Sequence, residues 1–90
     1  MKAELLKKLE EYAQLQPCWD SYFSKPISTK AIESAKRIIS DIETEVKPLF
    51  TPCTDGGLQL EWSNVDIEIE FTPEGKIILL VESEVKDERR

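Results

Sequence analysis

The chain has 90 residues, of which 40% are hydrophobic and 33% charged, and its net charge at neutral pH is −6. This length allows one domain with one modest core, and the composition is typical of a globular protein. No apolar run approaches the ~20 residues that span a bilayer, and the first residues lack the apolar stretch of a signal peptide. We therefore expect a cytoplasmic protein with no membrane contact.

The chain contains no histidine and only two cysteines, Cys18 and Cys53. It thus lacks the commonest general base and metal ligand, and two cysteines alone do not complete a structural zinc site. We expect no catalytic, metal-binding or cofactor-binding residues, and we predict that both thiols are free and buried. The acidic balance also argues against direct nucleic-acid binding, which depends on clustered Lys and Arg.

Two amphipathic helices are predicted in the first half of the chain. The first covers residues 2–16 and ends at Pro17. The aromatic connector 18–23 follows, and we expect it to fold back onto the core, with Trp19 in a structural role. The second helix is predicted over residues 28–46, with Ser28 as its N-cap.

The second half of the chain predicts strands separated by turns. Period-two alternation and turn residues indicate extended segments at 49–53, 58–63, 65–71 and 76–81. The predicted fold is α+β, with two N-terminal helices packed on one face of a 3–4-stranded antiparallel meander. We assign residues 1–81 to this single domain and residues 82–90 to a charged, frayed tail.

The acidic residues concentrate on one predicted strand face. All of the net charge arises after Lys47, and Val65–Phe71 strictly alternates apolar residues with Asp66, Glu68 and Glu70. Such alternation places the carboxylates together on the face away from the core. If Ser63-Asn64 forms a two-residue loop, Glu61 joins this face directly opposite Asp66.

The last predicted strand, Ile77–Val81, is apolar on both faces. A strand of this kind is normally covered on both sides, whereas the two helices cover only one side of the sheet. Aliphatic side chains beside carboxylates suit a protein interface, since the former give affinity and the latter give steering. We predict a binding surface for a protein with a basic surface, formed by Glu61, Asp66, Glu68, Glu70, Ile77 and Leu79.

Three other interpretations of this row of carboxylates remain open. It can be a solvated face that only enhances solubility, or the interface of a homodimer that forms through the outer face of the sheet. It can also hold a carboxylate pair for metal-dependent hydrolysis. A flat sheet face offers no cleft for catalysis, so we expect a protein without enzyme activity.

Two segments taken together resemble a widespread group of small, mostly uncharacterised bacterial, archaeal and phage proteins. One segment is Trp19-Asp20-Ser21-Tyr22 with Pro26-Ile27-Ser28, and the other is Asp55-Gly56-Gly57-Leu58-Gln59-Leu60-Glu61-Trp62. Phe23-Ser24 replaces the small Gly-Ala pair usual in that group. The resemblance implies a shared fold and supplies no catalytic residues. Because small proteins of mobile elements are often antitoxins or host-defence inhibitors, it also implies a regulator that occludes a basic, nucleic-acid-processing partner.

Overall fold

The computed structural model describes residues 2–19, 24–42 and 46–81. It contains two helices, α1 (Lys2–Ala13) and α2 (Thr29–Asp41), followed by four strands, β1 (Leu49–Pro52), β2 (Leu58–Trp62), β3 (Ile67–Phe71) and β4 (Ile77–Val81). The strands form one antiparallel sheet in the order β1-β2-β3-β4, and the helices contact β1, β2 and β3. The predicted α+β fold is therefore confirmed. The predicted tail, residues 82–90, lies outside the described residues.

The core lies between the helices and one face of the sheet, which we call the inner face. Ala31 and Ala35 of α2 are fully buried, because their small side chains let the helix approach the sheet closely. They pack in one cluster with large side chains from both helices and the strands, namely Leu5, Leu9, Ile39, Phe50, Leu58, Leu60 and Phe71. Both helices thus cover the same face, and within the described residues no helix lies on the opposite, outer face of the sheet.

The first helix is held against β1 by an aromatic side chain. The rings of Tyr12 and Phe50 meet edge to face, with centroids 5.2 Å apart. The Tyr12 hydroxyl donates a 2.7 Å hydrogen bond to the carbonyl oxygen of Phe50. The helix ends at Ala13 rather than at the predicted Gln16, and a turn closed by a hydrogen bond from Leu15 N–H to Tyr12 O follows it.

The second helix begins where the sequence predicts and ends earlier. Ser28 is the N-cap, and its Oγ accepts a hydrogen bond from Ala31 N–H. The predicted end at residue 46 is wrong, because Ile42 is already extended (φ −78°, ψ 151°) and makes the last helical hydrogen bond, to Ile38 O. The chain must turn there to reach β1, and the indole N–H of Trp62 holds the approach to β1 by donating to Val46 O. Neither α1 nor α2 is long and apolar enough to cross a membrane.

The segment before α2 and the turn between β1 and β2 lie side by side. The backbone N–H groups of Lys25 and Ser28 donate 2.9 Å hydrogen bonds to the carbonyls of Thr54 and Gly56. Gly57 has no space for a side chain, because a Cβ there would lie 2.6 Å from the carbonyl oxygen of Phe71. The glycine turn between β1 and β2 therefore permits this close backbone packing.

The aromatic connector is described only at its first two residues, Cys18 and Trp19. The indole N–H of Trp19 donates a 2.8 Å hydrogen bond to Lys25 O, which agrees with the structural role predicted for this residue. The backbone N–H of Cys18, which has a positive φ of 62°, donates to Ser24 O. The rest of the predicted connector, residues 20–23, lies outside the described residues.

Two serines, the N-cap Ser28 and Ser34 of α2, form hydrogen bonds with the turn between β3 and β4. Ser28 Oγ donates a 2.6 Å hydrogen bond to Pro73 O, and Ser34 Oγ donates a 3.1 Å hydrogen bond to Gly75 O. The turn itself is closed by a hydrogen bond from Gly75 N–H to Thr72 O. These contacts fix the end of the β3–β4 hairpin relative to α2.

Candidate protein-binding surface

The hairpin that carries the acidic residues differs from the prediction in its loop. Residues 63–66 form a four-residue loop, so the predicted two-residue loop at Ser63-Asn64 is wrong. Glu61 consequently lies opposite Glu68 rather than Asp66, and Gln59 lies opposite Glu70. Because the register changes by two residues, the side chains within β2 and β3 keep the faces that the alternation predicted.

The outer face of the sheet carries two rows of side chains that run across the four strands. One row is Leu49, Glu61, Glu68 and Leu80, and the other is Thr51, Gln59, Glu70 and Ile78. The central strands carry the polar residues Glu61, Gln59, Glu68 and Glu70, whereas the edge strands carry Leu49, Thr51, Ile78 and Leu80. We call these eight residues the acidic face, and its three glutamates are all partly exposed.

The aliphatic residues beside the acids are not the two that were predicted. Ile78 pairs with Glu70 and Leu80 pairs with Glu68, so these two share the outer face with the acids. Ile77 and Leu79 pair with residues of the inner face, Phe71 and Ile69, and therefore point to the helix side. This corrects the placement of Ile77 and Leu79. A strand that is apolar on both faces carries no alternation from which its orientation can be read.

Asp66 belongs to the loop rather than to the strand. Its φ is +55°, a left-handed conformation that Asp tolerates better than most residues. It still lies close to the acidic face, because Asp66, Glu61, Ile67 and Glu68 line one depression of about 60 Å³. Within the ranges 2–19, 24–42 and 46–81, no group of three or more acidic, cysteine or histidine residues is arranged to hold a metal ion.

The negative charge of this face acts on a neighbouring thiol. Burial raises the pKa of Cys53, and the carboxylates of Asp55, Glu70 and Glu68 raise the pKa further by disfavouring a second negative charge. Both cysteines are free thiols, as predicted, but Cys18 is exposed and Cys53 is only half-buried. The prediction that both are buried is therefore wrong, since one follows a surface turn and the other borders the acidic face.

Sequence reasoning missed three aliphatic residues of the acidic face. Leu49 is 59% exposed at the β1 edge, and Ile78 and Leu80 are each 38% exposed at the β4 edge. Leu49 could have been found by period-two alternation, because it directly precedes the buried Phe50. The ion pair between Lys47 and Glu4, with its two charged atoms 3.5 Å apart, involves no residue of this face.

A second concave surface lies on the helix side of the molecule. An apolar groove of about 210 Å³ between α1 and α2 is lined by Leu6, Leu9, Glu10, Ala13, Ile32 and Lys36. Its charged rim contains one acidic and one basic residue. This groove therefore lacks the single sign of charge that distinguishes the acidic face.

Comparison with known proteins gave no relative from which a role can be transferred. The chain matched no protein-family model, no curated protein and no solved structure. The functional argument therefore depends on the chemistry of the described surfaces.

Proposed function

We propose that this protein is a non-enzymatic regulator that binds a basic protein through its acidic face. The supporting observation is the arrangement of Glu61, Glu68 and Glu70 on the two central strands, with exposed aliphatic residues at both edges. Interfaces combine apolar contact, which gives affinity, with charge complementarity, which gives steering and selects partners. This surface supplies both, and its charge has one sign.

The like-charged pair on β2 and β3 favours binding of a cation. Glu61 and Glu68 are directly opposite each other, and directly opposed like charges destabilise a sheet by a few tenths of a kcal/mol. An Arg or Lys of a partner can contact both carboxylates at once, because they lie opposite each other on neighbouring strands. The pair thus adds to the selectivity for a basic surface.

A basic partner of this kind is best sought among proteins that process nucleic acids. Their binding sites carry clustered Lys and Arg that contact phosphates. A rigid sheet face with neighbouring carboxylates can occupy such a site in place of the phosphates, as in antitoxin-like or inhibitor-like occlusion. We place this interaction in the cytoplasm, because a reducing compartment suits two free thiols.

Self-association through the same face is less favourable. Two sheets that pack face to face lie about 10 Å apart. That arrangement would set the three glutamates of one copy against those of the other, and like charges at this distance repel each other. The second alternative is a metal-dependent hydrolase. It would use Glu61, Asp66 and Glu68, which border one depression, but within the described residues they do not form a group arranged to hold a metal ion. Magnesium titration followed by the amide NMR signals of these residues tests it.

The proposed function is tested by identifying a partner and measuring its affinity. Proteins captured from the source cells are identified by mass spectrometry, purified, and titrated calorimetrically against the wild type and the variant Glu68→Gln plus Glu70→Gln. We expect this variant to bind at least about 10-fold more weakly, because two charge contacts are lost. The matched control is Glu10→Gln plus Glu33→Gln, which removes the same charge from exposed helix positions.

The control decides between specific and general electrostatic attraction. We expect the helix variant to bind within about 2-fold of the wild type, because its charges lie away from the acidic face. Equal weakening in both variants would mean that the partner responds only to net charge, and the proposed surface would be wrong. Thermal melting of each variant verifies that the fold is intact.

A further inference from the structure

The two edges of the sheet differ in how they are protected. An exposed strand edge presents unpaired N–H and C=O groups, and proteins normally block such edges with Pro, charged side chains or covering segments. On β1 the carbonyl of Phe50 is bonded by the Tyr12 hydroxyl, and Pro52 has no N–H to offer. On β4 the residues Ile77–Val81 contain no Pro, no charge and no Gly, and no described strand pairs with the outer edge.

The hydrogen-bonding groups on the free edge of β4 follow from the turn before it. Thr72 N–H donates to Lys76 O, so this pair is of the hydrogen-bonded type. Hydrogen-bonded and non-hydrogen-bonded pairs alternate along an antiparallel ladder. Ile78 and Leu80 are therefore the residues of β4 that make the hydrogen bonds to β3. The N–H and C=O groups of Ile77, Leu79 and Val81 consequently point away from the sheet.

This set of free groups is complementary to itself. In an antiparallel pair of two β4 strands with a two-fold axis at Leu79, Leu79 pairs with Leu79 of the second copy. In the same register Ile77 pairs with Val81 of the second copy, and by symmetry Val81 pairs with Ile77 of the second copy. All three residues with free groups then exchange hydrogen bonds, which is the isologous arrangement of a two-fold dimer.

The side chains of β4 are exposed on both faces, as pairing at this edge requires. Ile77 and Leu79 are 41% and 62% exposed on the helix side, where the helices contact the other three strands. Ile78 and Leu80 are exposed on the outer face. Pairing of two β4 edges buries part of all four side chains against the second copy. A partner that packs on only one face of the sheet would contact only two of them.

The negative charge of the two copies does not prevent this arrangement. Among the described strands, the glutamates nearest to this edge lie on β3, so three strand spacings, or about 14 Å, separate the two rows. This exceeds the Debye length of about 8 Å at physiological ionic strength. On the outer face, Ile78 and Leu80 of both copies then form a central aliphatic stripe with glutamates on either side.

We propose that the protein forms a two-fold homodimer by antiparallel pairing of β4 with β4 of a second copy, which extends the sheet to eight strands. The inference does not depend on the proposed function, since it follows from the edge alone. An edge of five residues is a small interface, so we expect a weak dimer that dissociates on dilution. Sedimentation equilibrium between about 1 µM and 1 mM measures this dissociation.

Two leucines of similar exposure provide a matched pair of variants. Leu79→Lys places a charge at the centre of the β4 edge, and we expect it to remain monomeric throughout the concentration range. Leu49→Lys changes an equally exposed leucine on the outer face at the other edge, and we expect wild-type dimerisation. A wild type that stays monomeric at 1 mM overturns the proposal, and so does a dimer that Leu49→Lys breaks and Leu79→Lys leaves intact.

Cross-linking tests the register directly. Leu79→Cys, in a background in which Cys18 and Cys53 are Ser, places two thiols at the two-fold axis. Their Cα atoms would be about 5.5 Å apart, within the range that a disulfide spans. Mild oxidation should yield a covalent dimer that folds and melts cooperatively, and Leu49→Cys in the same background should not. A dimer that is present in solution but fails to cross-link at position 79 contradicts the proposed axis.

Discussion

Removing one hydroxyl at the start of α2 should destabilise two elements at once. Ser28 Oγ accepts the capping hydrogen bond from Ala31 N–H and donates a 2.6 Å hydrogen bond to Pro73 O. Loss of an N-cap costs about 1 kcal/mol, and loss of a hydrogen bond to a carbonyl costs about 1 kcal/mol more. We therefore expect Ser28→Ala to lower the free energy of unfolding by about 2 kcal/mol. In a domain of this size the melting temperature falls by roughly 8–16 °C.

Two further serines of the same helix calibrate this prediction. Ser34→Ala removes only the hydrogen bond to Gly75 O, and helix propensity offsets part of the loss, so we expect about 0.5–1 kcal/mol. Ser40→Ala changes an exposed position and should lie within about 0.5 kcal/mol of the wild type. Urea unfolding followed by tryptophan fluorescence gives all three values. The reasoning is refuted if Ser28→Ala is no more destabilising than Ser40→Ala.

Three other changes in stability are expected. Ser24→Ala should raise the free energy of unfolding by about 1 kcal/mol, because the buried Ser24 hydroxyl has no hydrogen-bond partner among the described residues. A decrease of similar size in urea unfolding would contradict this. Gly57→Ala should cost about 1–3 kcal/mol, because its Cβ would meet the Phe71 carbonyl at 2.6 Å, and a neutral effect on the melting temperature would show that the turn can shift. Stability should also fall as pH rises from about 8.5 through 11. Burial raises the pKa of Cys53 and of Tyr12, so the folded state binds protons more tightly than the unfolded state. Unfolding free energies that stay constant over this pH range would oppose this assignment.

The elements that could be predicted are those whose sequence signals are local. The start of α2 follows from Ser28, whose cap geometry involves only the next three residues. The turn after β3 follows from Pro73 and Gly75. The end of α2 could not be predicted, because Asp41 and Ile42 carry no stop signal and the chain leaves the helix only to reach β1.

The glutamates of the acidic face could be predicted from the sequence, whereas its aliphatic residues on β4 could not. The alternation around Glu68 and Glu70 assigns both side chains to one face, and this assignment is the same for a two-residue or a four-residue loop. The loop length decides only whether Asp66 or Glu68 lies opposite Glu61, and a change of two residues leaves the pattern unaltered. The orientation of β4 depends on its pairing with β3, which its own sequence does not encode.

The central claim of this account is that the acidic face is the site at which a partner protein binds. The most direct test is the change in the amide NMR signals of the isotopically labelled protein when the captured and purified partner is added. We predict that the signals that shift or broaden are those of Glu61, Glu68 and Glu70 with the neighbouring Ile78 and Leu80. Changes confined to the groove between α1 and α2, around Leu6 and Ile32, would contradict it.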